Sequence, residues 1–132
     1  MKLIFTCCLF FLSVEIFAQS YILDTDFQLG IPTTYSIVDN DFNAPNTQVS
    51  NFTNAWIGIA DPEDSTNKVA AATSYFSLED TASRWLITPA LSLSSFGNFI
   101  SWKAKSHDPS FPDNYMVLVS TTDNQISSFI DT

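Results

Sequence analysis

Short strand-like segments separated by turn residues limit the folds open to this sequence. No window keeps apolar residues at positions i, i+3, i+4 and i+7 between helix caps, which is the pattern of an amphipathic helix. Apolar and polar residues alternate instead, and Gly, Pro, Asp and Asn residues stand between the runs. The predicted strands are residues 36–38, 55–59, 68–73, 84–87, 98–105 and 115–119. Short strands at this spacing predict an all-β sandwich or jelly roll.

The clearest of these patterns lie late in the chain. Ile100, Trp102 and Ala104 fall on one face of segment 98–105 and polar residues fall on the other, so we expect a half-buried strand with Trp102 in the core. Segment 115–119 is apolar on both faces and rich in valine, which predicts a central strand.

Trp85 belongs to the strand 84–87, and we expect it to serve the architecture. That strand should end at Thr88 and Pro89, because proline has no amide hydrogen to give to a sheet. Other aromatic side chains stand in more polar surroundings and are predicted to be exposed. They are Tyr75, Phe76 and Phe111.

Residues 1–18 have the order of a secretory signal peptide. A basic start at Lys2 precedes the apolar run 3–12, and Ala18 offers a small residue before the cut. The run is shorter than the roughly 20 residues that span a bilayer, so a membrane anchor is disfavoured. Cys7 and Cys8 lie inside this segment, so the mature domain 19–132 has no disulfide, no cysteine-ligated zinc and no cysteine nucleophile. A secreted domain without disulfides is more typical of bacteria than of animals.

The mature chain is strongly acidic. Removing Lys2 and Glu15 leaves 13 acidic residues against 4 basic ones, a net charge of −9. Nucleic acids and anionic membranes are therefore disfavoured partners, because both need a basic face. Acidic side chains suit calcium, whose ligands are hard oxygens, although acidity can also serve solubility alone.

One acidic loop has the spacing of a cation site. Asp39, Asp41 and Asn43 place oxygen-bearing side chains at alternate positions directly after a predicted strand, and Asp24 and Asp26 repeat that spacing. Calcium loops use the same alternation. The loop is not an EF-hand, since it lacks the sixth-position glycine and flanking helices. The alternative is a solvated turn, for which Asp and Asn are ordinary residues.

Catalytic patterns are weak in this sequence. The only histidine, His107, stands between Ser106 and Asp108 in a predicted loop, and a catalytic triad requires groups that converge in space. The sequence holds no nucleophile elbow, no zinc-protease motif and no phosphate loop. We therefore predict that this chain is not an enzyme. An enzyme whose catalytic part lies outside this chain is a further alternative.

Four motifs, in order from about residue 21 to residue 129, resemble the choice-of-anchor J and cleaved adhesin domains of secreted bacterial proteins, especially of Bacteroidetes. The first is "DFQ", "GIP" and "YSIVDND" within residues 26–41, and the most recognisable is "RWLITPALSL" at 84–93. Two segments that resemble the following strands are "ISWKA" at 100–104 and "NYMVLVSTT" at 114–122.

The resemblance implies a jelly-roll β-sandwich, galactose-binding-like or MAM-like, with calcium bound by Asp26, Asp39, Asp41 and Asn43. It implies a secreted, non-catalytic adhesion or binding module at the cell surface or in the extracellular space, with an extracellular protein or glycan as partner. The alternative is a carbohydrate-binding accessory domain of an exported protease or glycoside hydrolase.

Three departures from the family pattern are visible. Gln28 stands where an acidic residue is common, which removes one metal ligand, and Tyr35 stands where Trp is usual. The family domain also continues past the strand that "NYMVLVSTT" resembles, so we expect 19–132 to lack its last strands.

Overall fold

The computed structural model describes residues 21–108 and 110–130. Within these residues the chain forms two small antiparallel sheets and no α-helix, which confirms the all-β class. The strands are β1 (Ser36–Asp39), β2 (Ile57–Asp61), β3 (Asp64–Ala71) and β4 (Arg84–Ile87), and the 3-10 turns are Thr47–Val49 and Ile126–Ser128. The predicted signal peptide 1–18 lies outside the described residues.

The first sheet joins two segments that are distant in sequence. β1 pairs antiparallel with β4, with Ser36 opposite Ile87 and Asp39 opposite Arg84. The pairing extends one step further, because the Asn40 amide donates to the Ser83 carbonyl at 3.0 Å. β-branched and aromatic residues, which favour strands, supply two of the four residues in each strand. Both predicted strands, 36–38 and 84–87, are confirmed.

The second sheet is the hairpin of β2 and β3. Its register shifts between Ala60 and Asp61, which leaves Asp61 opposite Asp64 across a short turn. The Asp61 carboxylate accepts the Glu63 amide at 3.0 Å and so supports the turn. Predicted strands 55–59 and 68–73 overlap β2 and β3, although both observed strands are displaced from the predicted bounds.

The N-terminal turn lies directly against this hairpin. Gly30 has a φ of +91°, and a Cβ built on Gly58 would lie only 3.1 Å from the Gly30 Cα. Glycine at position 58 permits this close approach, and glycine at position 30 permits the positive φ of the turn, since a Cβ at Gly30 would meet no atom within 4 Å. The "GIP" turn and β2 therefore pack backbone against backbone at Gly58.

The apolar core is small and lies in the first two thirds of the chain. Its buried hydrophobic residues in the described part are Ala55, Phe76 and Ile87. Around it, the Phe27 and Tyr35 rings meet edge to face at 6.1 Å, and the Trp85 ring packs on Phe129 at 5.7 Å. Trp85 therefore has the architectural role predicted for it.

The predictions for segments 98–105 and 115–119 are wrong. Neither segment forms a strand, and Trp102, predicted to be buried, is 53% exposed. Alternation places the apolar side chains of a segment on one face, but a strand also needs the backbone of a neighbouring strand for its hydrogen bonds. Among the described residues, the only such pairing in this region is the isolated bridge between Val119 and Ile130. We call residues 96–108 and 110–119 the arm.

Candidate functional site

The acidic loop 39–43 is built from turns that its own side chains close. Asp39 Oδ1 accepts the amide of Phe42 at 2.9 Å, and Asp41 Oδ1 accepts the amide of Asn43 at 2.8 Å. Phe42 takes a φ of 57°, a left-handed conformation that costs free energy for a bulky residue. One oxygen of each carboxylate is thus occupied in shaping the loop.

Arg84 joins this loop to β4. Its Nη2 donates to the Asn43 carbonyl at 2.8 Å, and its Nε lies 3.4 Å from Asp41 Oδ2. The same Asp41 oxygen accepts the Ser83 amide at 2.8 Å. The guanidinium also stacks 4.7 Å above the Phe76 ring, a cation–π contact. The Arg84 side chain therefore connects the acidic loop, β4 and the buried Phe76 ring.

The side chains of this ion pair are shielded from solvent, in two residues that are themselves half-buried. The Arg84 and Asp41 side chains are only 4% and 2% exposed. Burial alone raises the pKa of Asp41, but the amides of Ser83 and Asn43, together with the positive charge of Arg84, outweigh it and lower the pKa. The contact between Arg84 Nε and the carboxylate is ionic without hydrogen-bond geometry, because Nε has no hydrogen-bond partner in the described part. The charges neutralise each other, and neither tolerates loss of its partner.

Sequence reasoning missed this role of Arg84. The signal was present, since Arg84 is the only arginine in an acidic sequence and opens an apolar strand. A buried position for arginine requires a carboxylate close by. The sequence offers many carboxylates, so only the chain path could single out Asp41.

Asp26 belongs to a different turn. Its Oδ1 accepts the Gln28 amide at 3.0 Å. The Gln28 side chain then reaches β3, where it donates to Asn67 Oδ1 at 2.5 Å and accepts the Lys68 amide at 3.3 Å. Gln28, the departure from the family pattern, therefore ties the N-terminal turn to the hairpin, a task that requires both a donor and an acceptor.

The four predicted calcium ligands fit a cation only in part. Asp41 has both oxygens occupied by amides and Arg84, while Asp39 keeps one oxygen free of hydrogen bonds to other described residues. Over residues 21–108 and 110–130, no three His, Cys, Asp or Glu side chains are grouped closely enough to hold a metal ion. Calcium binding by Asp26, Asp39, Asp41 and Asn43 stays a prediction.

A second ionic cluster attaches the arm to the hairpin. Lys105 Nζ donates to Asp61 Oδ1 and to Glu63 Oε2, each at 2.8 Å. The Lys105 hydrogen bond and the Glu63 amide lower the pKa of Asp61, and the same two carboxylates raise the pKa of Lys105. Ser74 Oγ adds a contact to Asp113 Oδ1 at 2.5 Å. Polar side chains therefore position the arm, whose backbone pairs among the described residues only at the isolated bridge of Val119 with Ile130.

The arm exposes the largest concentration of apolar side chains in the described residues. Trp102 Nε1 donates to Tyr115 Oη at 3.2 Å, which brings the two halves of the arm together. Exposed apolar residues of the arm are Phe96, Phe99, Ile100, Trp102, Phe111, Tyr115, Met116, Val117 and Val119. Single exposed apolar residues are normal, whereas a concentration of this kind is a candidate interaction surface.

Of the three aromatic residues predicted to be exposed, two are exposed and Phe76 is buried. Tyr75 and Phe111 are exposed, as predicted, but Phe76 is buried beneath the Arg84 guanidinium. The polar neighbours of Phe76 in sequence misled the prediction, because the backbone pairing of Pro45 with Phe76 turns its side chain inward.

Nothing in the loop around His107 assembles a triad in the described residues. Ser106 Oγ donates to the Asp108 carbonyl at 3.0 Å, and the Asp108 carboxylate accepts the Ser110 amide at 2.8 Å. Both groups serve a local turn.

Along the described ranges, no helix is long and apolar enough to cross a membrane.

Comparison with known proteins found no relative of this chain. No family model matches the chain, and neither the curated proteins nor the solved structures contain a significant match. The resemblance to the choice-of-anchor J and cleaved adhesin domains therefore rests on the sequence motifs alone.

Proposed function

We propose that this chain is a secreted, non-catalytic adhesion module with a jelly-roll β-sandwich of the choice-of-anchor J and cleaved adhesin type, and that its partner is an extracellular protein. The pairing of β1 with β4 supports the fold assignment. These two strands come from "YSIVDND" and "RWLITPALSL", the segments that carry the clearest resemblance. If both segments belong to one domain of this type, we expect their strands to lie in the same sheet.

The observation that carries the function is the apolar surface of the arm. Five aromatic rings stand exposed along it, those of Phe96, Phe99, Trp102, Phe111 and Tyr115. Aromatic side chains supply large contact areas at low entropic cost and dominate the energetics of protein interfaces. Lys105 holds the arm against the hairpin, so the surface is presented on an anchored segment.

Surface plasmon resonance on an array of immobilised extracellular-matrix and cell-surface proteins tests this proposal on the chain 19–132. The arm variant carries Phe96→Ser, Phe99→Ser and Phe111→Ser, and we expect it to bind at least about 10-fold more weakly than wild type, because each truncated anchor costs about 1 kcal/mol or more. Leu29→Ser is the matched control, since Leu29 is fully exposed but lies outside the arm.

Two outcomes would contradict the proposal. The first is that the wild-type chain binds none of the immobilised proteins. The second is that the arm variant and Leu29→Ser bind equally well, which would remove the arm from the interface.

A further inference from the structure

A polar groove lies on one face of the sheet formed by β1 and β4. One wall is Ser36, Val38 and Asn40, alternate residues whose side chains share a face. The other wall is the segment 124–127, which includes most of the last 3-10 turn. The groove has a volume of about 550 Å³ and is open to solvent along one side. This size is within the range of sites for small organic ligands.

The walls of the groove are held in place by contacts around it. Trp85 lies opposite Val38 in the sheet, and its ring packs on Phe129 at 5.7 Å, which docks the last turn onto this face. The Asp123 carboxylate accepts the Gln125 amide at 2.9 Å. The separation of the walls is therefore set by the packing of Trp85 on Phe129, together with the turn that the Asp123 carboxylate closes.

The lining consists of amides, hydroxyls and two aliphatic side chains. The polar members are Ser36, Asn40, Asn124, Gln125 and Ser127, and the apolar members are Val38 and Ile126. Asn40 Nδ2 donates to Ser83 Oγ at 3.1 Å, which leaves its Oδ1 as an acceptor. The other four polar side chains make no hydrogen bond to a described residue, so their donors and acceptors face ligand or water.

This lining selects a class of ligand. Hydroxyl and carboxamide groups both donate and accept, and each sugar hydroxyl needs a donor and an acceptor. Among the described residues, no ionic side chain lines the groove to pair with a charged ligand, and the net charge of −9 repels anions. Val38 and Ile126 offer apolar surface to the C–H groups of a pyranose ring. We propose that the groove binds a neutral sugar unit of a glycan, at a site separate from the protein-binding arm.

A neutral-glycan array, followed by calorimetry with the best-bound oligosaccharide, tests the groove on the chain 19–132. We expect Asn124→Ala/Gln125→Ala to raise the Kd about 10-fold or more, because at least two hydrogen bonds are lost. Gln48→Ala/Asn51→Ala is the matched control, since both residues are exposed and lie outside the groove. It should bind as wild type does.

A second variant, Ser127→Trp, fills the groove and should abolish binding while the thermal midpoint stays near that of wild type. The arm variant should retain glycan binding, which separates this proposal from that of protein adhesion. Three results would overturn the groove assignment: no neutral glycan bound, binding confined to charged glycans, or binding that Asn124→Ala/Gln125→Ala and Ser127→Trp leave intact.

Discussion

The ordered sheets and the arm carry similar sequence patterns but have different structures. Ile87 lies in a short apolar strand and is 6% exposed, whereas Ile100 lies in a cleaner alternating segment and is 67% exposed. Trp85 packs on Phe129, while Trp102 faces solvent. β4 has β1 as a partner, whereas segment 98–105, which contains Ile100 and Trp102, has no partner strand in the described residues. Alternation thus defines which side chains share a face, but a partner strand decides whether that face is buried.

The two ionic clusters show the same contrast. Arg84 and Asp41 are both nearly inaccessible to solvent, whereas Lys105 bridges Asp61 and Glu63 with 44% of its own side chain exposed. Water screens the second cluster and barely reaches the first. We therefore expect the ion pair of the sheets to control global stability and the ion pair of the arm to control only local order.

The largest effect is expected for Arg84→Ala. The variant leaves the Asp41 carboxylate buried without its cation, which costs about 3–5 kcal/mol of unfolding free energy. Urea unfolding followed by tryptophan fluorescence measures the change. Lys68→Ala, at an exposed lysine, is the control and should stay within about 0.5 kcal/mol of wild type. A loss below about 1 kcal/mol for Arg84→Ala would show that the pair is not buried in solution.

A matched pair of isoleucines tests the contrast in burial directly. Ile87→Ala opens a cavity in the core and should cost about 2–5 kcal/mol. Ile100→Ala removes the same atoms from an exposed position and should change stability by less than about 0.5 kcal/mol. The same urea unfolding compares them. Similar losses in both variants would mean that the arm is packed after all.

Added calcium tests the predicted metal site, whose four residues all lie outside the arm. If Asp26, Asp39, Asp41 and Asn43 hold the ion, saturating calcium stabilises the native state by about 2.7 kcal/mol at 100 times the Kd. Thermal melts with calcium and with chelator measure the midpoint, and Asp39→Asn should abolish the difference. An unchanged midpoint would exclude a calcium-stabilised domain.

Strong acid should weaken both sheets, because Asp41 and Asp61 stabilise the fold as carboxylates. Asp41 and Asp61 have folded-state pKa values below the ordinary value, so their stabilisation is complete above that value and is lost as the pH falls below about 4. Thermal midpoints between pH 3 and pH 7 should decline at the acid end. Asp41→Asn should flatten the decline, and a profile as steep as that of wild type would contradict the assignment.

The smallest global effect is expected for Lys105→Met. The cluster is solvated, so the thermal midpoint should hardly move, while amide hydrogen exchange in the arm should become faster. Because the folded-state pKa of Lys105 is raised, its contribution is present at neutral pH and lost only above the ordinary lysine value. Lys103→Met is the matched control. Equal exchange in both variants would show that Lys105 does not anchor the arm.

Several elements could be read from the sequence because local chemistry is enough to form them. β1 and β4 follow from short apolar runs, and Asp39 and Asp41 close turns with their own side chains. The role of Arg84 could not be read in this way, since Asp41 is 43 positions away in sequence yet adjacent in space. The polar groove was equally hidden, because its two walls are far apart along the chain.

The sequence by itself determined the all-β class, the strands β1 and β4, and an acidic loop closed by Asp and Asn side chains. These follow from backbone preferences and from contacts between residues a few positions apart. The tertiary structure alone decided which strands pair, that Arg84 is buried against Asp41, and that Trp102 faces solvent while Trp85 does not. The physical reason is that burial and strand pairing depend on what the chain brings alongside each segment, and alternation within a segment does not specify that neighbour.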